Sequence, residues 1–146
     1  MDTWYLSPAN PLLRLASVPF ACVAALRRAG YRSGLFRSVR LPVPVVVVGN
    51  IGVGGTGKTP LVLWLAQRLL AGGRRPGIVS RGYGGSATGV TEVRADSRVE
   101  AVGDEPLLLA RRSGVPVFVG RDRVAAARGL LARYPECDTI LADDGL

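Results

Sequence analysis

Eight consecutive residues, Gly52-Val53-Gly54-Gly55-Thr56-Gly57-Lys58-Thr59, have the types and spacing to hold a polyphosphate. They fill every fixed position of the G-x-x-x-x-G-K-[ST] pattern. Each residue type has a physical task. Glycines let the backbone approach an anion closely and adopt conformations closed to other residues. The amides of such a loop turn inward as a nest for phosphate oxygens. A helix starting at the end of the loop adds its positive N-terminal end. Lys58 then reaches the β- and γ-phosphates, and the Thr59 hydroxyl is suited to ligate Mg²⁺. Lys58 is also the only lysine of a chain whose other basic residues are all arginine.

A second element fits the same chemistry. Thr139-Ile140-Leu141-Ala142-Asp143-Asp144 is an apolar run ending in two carboxylates. A strand of this kind places an aspartate near the metal of a phosphate-binding loop. Three polar clusters lie between the two motifs: Ser80-Arg81-Gly82-Tyr83-Gly84-Gly85, Gly103-Asp104-Glu105-Pro106 and Gly120-Arg121-Asp122-Arg123. Asp122 reads as the N-cap of a following helix. Asp104 is equally readable as a cap or as a chemical group.

These residues need a scaffold, and the surrounding pattern supplies one. Pro42 to Val48 is a β-branched run of the kind found in a strand buried on both faces. Residues 60–70 carry apolar side chains at helical spacing, Leu61, Leu65 and Leu69 with Val62, Ala66 and Leu70, and Gly72-Gly73 ends the pattern. Strands are expected at 77–80, 90–94, 115–119 and 139–142, and helices at 105–112 and 122–134. Residues 82–89 read as a mobile Gly/Ser loop. Strands alternating with helices predict an α/β domain with a parallel sheet flanked by helices.

Composition divides the chain. Residues 1–40 hold six arginines (14, 27, 28, 32, 37 and 40) against Asp2 alone, while the whole chain carries +8. A basic arm over 1–40 thus precedes a more balanced domain over 41–146. Such an arm suits an anionic partner. The apolar run Leu12 to Leu26 is interrupted by Arg14 and Pro19 and is too short to span a bilayer. Its charges mostly follow it, at Arg27 and Arg28, which argues against a signal peptide. A helix lying at a membrane surface fits better. Cys22 and Cys137 form no CxxC pair and the chain has no histidine, which excludes the usual structural zinc sites. Both read as buried small apolar residues in a reducing compartment.

Five motifs in order resemble the tetraacyldisaccharide 4'-kinase family, the lipid A 4'-kinases of Gram-negative bacteria. They are Val48-Gly49-Asn50-Ile51 leading into Gly52–Pro60, Ser80–Gly84, Val102–Pro106, Val119–Arg123 and Asp143-Asp144-Gly145. The resemblance implies a P-loop kinase that moves the γ-phosphate of ATP to the 4'-hydroxyl of a tetraacyl glucosamine disaccharide 1-phosphate, with Mg²⁺. It implies work at the cytoplasmic face of the inner membrane, met through the N-terminal helix. By the same resemblance Asp104 deprotonates the acceptor hydroxyl. Glu105, Asp143 and Asp144 join Thr59 around the metal, and Arg81 and Arg121 contact phosphate or substrate. Family chains are longer and carry a histidine partner for the aspartate in their second half. The resemblance therefore implies the N-terminal portion of a longer protein, with its domain cut after the strand bearing Asp143.

Two other readings stay open at this point. Partition-type ATPases carry an extra lysine early in the loop, where this chain has Val53. A nucleotide-binding module without phosphoryl transfer fits the loop equally well. Nucleic-acid binding has only net charge in its favour, since the arginines are scattered with no aromatic-basic motif.

Overall fold

The computed structural model describes residues 11–36, 38–49 and 57–143, with side chains from residue 17 onward. The chain divides into two compact units, Met1–Arg40 and Leu41–Leu146.

The first unit is built on helix α1, Pro11–Arg32, which contains Pro19. Proline inside a helix removes one backbone donor and crowds the carbonyl four residues back. The helix ends in a reversal. Gly34 takes φ 76°, the Phe36 amide donates to the Gly30 carbonyl at 3.1 Å, and the Phe36 ring meets Tyr31 edge-on at 5.2 Å. A side chain on Gly30 would run into the Phe36 ring, so glycine is what lets the chain fold back there. Val18, Phe20, Val23 and Leu26 are exposed on α1. Among the described residues no helix is long and apolar enough to cross a membrane. Cys22 is exposed, contrary to the expectation that it is buried.

The second unit is a five-stranded sheet in the order β1-β5-β2-β4-β3. Its elements are β1 (Val45–Val48), α2 (Lys58–Ala71), β2 (Pro76–Ser80), β3 (Thr91–Val93), α3 (Val99–Val102), α4 (Asp104–Ser113), β4 (Val117–Val119), α5 (Arg123–Arg133) and β5 (Thr139–Asp143). Side chains alternate between the two faces, as strand geometry requires. Ile78, Leu141, Val117 and Val119 pack with Val62 and Ala66 of α2 and Leu107 and Leu109 of α4. Val79, Ile140, Ala142 and Phe118 pack with Ala126, Ala127 and Leu130 of α5. The result is a sheet between two helical layers.

Two expectations need correction. The sheet is not wholly parallel, because β3 runs antiparallel to β4. No helix separates β2 from β3. The chain therefore leaves β2 at one edge of the sheet, stays on that edge, and can only return downward. The run at 45–48 is also not buried on both faces. β1 is an edge strand paired only with β5, and Val45, Val46 and Val47 are exposed, with Val48 alone buried. Its β-branched composition reflects strand propensity, and no second strand covers its outer side among the described residues.

Candidate active site

In open α/β sheets ligands bind beyond the carboxyl ends of the strands. Here the parallel strands β1, β5, β2 and β4 all point their carboxyl ends to one edge. The sequence motifs follow directly. Gly49 leads from β1 toward the glycine-rich loop, Asp143 ends β5, Ser80-Arg81 leaves β2, and Gly120-Arg121 leaves β4.

Of the loop, Gly57, Lys58 and Thr59 are described; Gly52, Val53, Gly54, Gly55 and Thr56 lie outside the described residues, as does Asp144. Gly57 adopts the left-handed conformation (φ 74°, ψ 23°) and starts α2 without any side-chain cap. The first turn of α2 contains no acidic residue, so nothing negative of its own sits at this positive end. Lys58 and Thr59 are half-buried in that turn.

Register places Asp143 beside Val48, the last residue of the strand that enters the loop. Asp143 is 1% exposed, and its Oδ1 has no hydrogen-bond partner. Burial pushes its carboxyl above the usual aspartate range; the charge of Glu105 pushes the same way and that of Lys58 opposes both. Helix α2 packs on both α4 and β5, and the charges of Glu105 and Lys58 both reach the Asp143 carboxyl. A buried carboxylate oxygen with no partner is costly to leave bare. It suits a hard cation, which Mg²⁺ satisfies through one or two carboxylates together with phosphate oxygens and water. Asp143, with Thr59 one residue beyond Lys58, fits that donor set. Among the described residues no group of three or more acidic, cysteine or histidine side chains forms a metal cage.

Asp104 and Glu105 open α4. Asp104 is not the cap of that helix; Gly103 is, at φ 90° and ψ 158°, a region that is essentially glycine-only. The Asp104 carboxylate accepts the Glu105 amide at 2.9 Å and stays exposed. Both acids line a cavity of about 710 Å³ with Asp96, Arg98 and Arg111. Arg81 and Arg121 line a different one, of about 440 Å³, with Tyr83 and Gly85. The structure thus brings Arg81 and Arg121 together, while Asp104 and the two arginines open onto separate cavities.

A backbone strap joins the two cavities. The segment after β2, expected to be a mobile loop, is tied to the end of α3 at Ser86 and Ala87. The Ser86 amide donates to the Glu100 carbonyl at 2.9 Å and the Ala87 amide to the Ala101 carbonyl at 3.0 Å. Side chains at Gly85 or Gly103 would collide with the Ala101 and Tyr83 carbonyls respectively. These glycines set the spacing between the basic cavity and Asp104, a role that spacing in the sequence alone does not reveal. Asp122 does what its position predicts: it caps α5, accepting from the Val124 and Ala125 amides at 2.9 and 3.1 Å.

The likeness to known proteins agrees with this arrangement. The family model described as tetraacyldisaccharide-1-P 4'-kinase matches residues 9–146. A tetraacyldisaccharide 4'-kinase of Azoarcus sp. (strain BH72) is 61% identical over 139 residues, 95% of this chain and 41% of the relative. The corresponding protein of Alkalilimnicola ehrlichii is 60% identical over 144 residues, 98% of this chain and 42% of its own. The crystal structure of LpxK from Aquifex aeolicus in complex with ATP superposes with a TM-score of 0.74 at 34% identity, covering 91% of this chain and 44% of that one. The chain spans about two fifths of the length of the curated relatives it matches. With a family model matched over residues 9–146 and relatives about 60% identical over nearly the whole chain, this chain belongs to the tetraacyldisaccharide 4'-kinase family.

Proposed function

We propose that this edge binds MgATP and serves the transfer of its γ-phosphate to the 4'-hydroxyl of a tetraacyl disaccharide 1-phosphate. The observation that carries the reading is the buried Asp143 carboxylate, with Oδ1 unpartnered among the described residues, in register with the end of the strand that enters the loop before Lys58. The ATP held by the Aquifex relative supports it. Backbone amides at residues 52–59 and the Lys58 ammonium hold the triphosphate. Thr59, Asp143, Asp144 and Glu105 are the groups that would hold Mg²⁺. Bound there, that ion would supply charge neutralisation to the phosphate oxygens.

Asp104 accepts the proton of the acceptor hydroxyl as its oxygen bonds to the γ-phosphorus. The bond from that phosphorus to the bridging oxygen breaks, and ADP leaves with the electron pair. Arg81 and Arg121, together in one cavity, bind anionic oxygens of the acceptor. Most of the work is positioning and electrostatics. The acceptor is a lipid, and α1 offers exposed Phe20, Val23 and Leu26 close to Arg27 and Arg28. An apolar face with basic residues binds anionic membrane surfaces. In this reading the arm lies on the cytoplasmic face of the inner membrane, where ATP is available.

The test is a phosphoryl-transfer assay with the disaccharide acceptor and Asp104→Asn. Loss of the base lowers turnover by about 10²–10⁴-fold and leaves MgATP affinity within about twofold. An unchanged turnover number removes Asp104 from the chemistry. MgATP binding without any transfer by the parent leaves a nucleotide-binding module instead.

A further inference from the structure

One buried polar side chain on the sheet edge has no part in the chemistry above. Ser80, the last residue of β2, is 5% exposed. β2 and β5 keep parallel register through Val79 and Ala142, and the next step sets Ser80 beside Asp143. On their other sides Asp143 pairs with Val48 and Ser80 with Val119. Val48 and Val119 belong to the apolar cluster that faces α2 and α4, and so do Ile78 and Leu141, two residues before Ser80 and Asp143. Strand alternation therefore turns Ser80 and Asp143 to that same face. Neighbouring strands lie about 4.8 Å apart. A serine hydroxyl and a carboxylate bridge such a gap with an O–H···O bond of about 2.7 Å.

An ionised carboxylate has about four acceptor sites, so Asp143, whose buried Oδ1 has no partner among the described residues, can accept a hydroxyl hydrogen bond and still face a cation. Carboxylates that ligate metals are themselves held by hydrogen bonds, and loss of such a partner lowers metal affinity or activity about 10–100-fold. We infer that Ser80 is a positioning residue whose hydroxyl, by rotating about its Cα–Cβ bond, donates to Asp143 Oδ1 and fixes that carboxylate in its metal-facing orientation. The inference rests on the MgATP reading of the site. A small residue at this crowded row is also what packing alone would ask for. Alanine and threonine separate the two, since alanine removes the hydroxyl and threonine keeps it while adding a methyl group.

The experiment is a magnesium titration at fixed ATP, read by calorimetry and by ligand-induced melting shift, on the parent, Ser80→Ala and Ser80→Thr. Ligand-free melting of each variant is the control for folding. Ser80→Ala requires about tenfold more magnesium for half-saturation, and Ser80→Thr stays within about twofold of the parent. Equal magnesium dependence of Ser80→Ala and parent overturns the inference. So does equal weakening in the two variants, which makes volume the role of the residue. A parent that binds no nucleotide at any magnesium concentration defeats the reading of the site itself, a separate outcome.

Discussion

Helices α2 and α5 begin within the same domain and solve the same problem in opposite ways. Every helix starts with backbone donors that have no intrahelical partner. At α5 the chain satisfies two of them itself, through the Asp122 carboxylate. At α2 the cap is Gly57, which has no side chain to offer, and no acid stands in the first turn. Acidic residues are present at the same sheet edge, in Glu105 and Asp143, but none caps α2. A closed N-terminus stabilises the fold, whereas the start of α2 beside Lys58 is, in the proposed reading, the place for an outside anion. Helix α4 is a third case. Asp104 and Glu105 fill its first turn, yet the cap itself is Gly103, so the Asp104 carboxylate remains exposed.

The contrast can be broken most forcefully at Lys58. Lys58→Ala weakens MgATP binding by about 100-fold or more, since each charge-assisted contact contributes about 1.5–3 kcal/mol and the ammonium reaches two phosphates. Calorimetry measures that loss, with ligand-free melting of the variant as the control for folding. Next in size is Gly103→Ala. The backbone there has φ 90°, so a side chain costs about 1–3 kcal/mol and must displace the Tyr83 carbonyl. Thermal unfolding shows the loss, and transfer falls more than MgATP affinity because Asp104 moves.

The reciprocal variant sharpens the comparison. Asp122→Ala removes a real cap and lowers stability by about 1 kcal/mol in denaturant unfolding, with MgATP affinity unchanged. The smallest effect lies far from the site. Tyr134 donates to Glu92, and that bond, more than the neighbouring Arg94, holds the Glu92 carboxyl below its usual range. A depressed carboxylate pKa contributes stability above the unfolded-state value of about 4.3 and loses it as pH falls through the folded value. Tyr134→Phe keeps the ring against Phe118 and removes the donor. Its deficit of less than about 1 kcal/mol at neutral pH fades on acidification below about pH 4, as unfolding curves at several pH values can measure.

The parts of this site that were legible in sequence are those carried by residue type. Gly57-Lys58-Thr59 needs those side chains or their lack, and the strand and helix around it show in β-branched runs and 3.6-residue spacing. Asp122 was legible as a cap for the same reason. What escaped is carried by register and backbone. The reversal of β3 depends on how residues 81–90 cross the sheet edge, and the strap that holds those residues uses the Glu100 and Ala101 carbonyls, groups that every residue possesses. Gly85 looked like freedom and serves as a close contact with the Ala101 carbonyl. Exposure of Val45 to Val47 depends on which strand has neighbours, and composition does not encode that.

Hydrogen exchange resolved by residue, with and without MgATP, tests the difference between the two helix starts most directly. The account predicts that MgATP slows exchange of amides at the start of α2, from Gly57 to Leu61, and leaves those of Val124 and Ala125 at their already protected rates. No change at the start of α2, or an equal change at both helices, would contradict it.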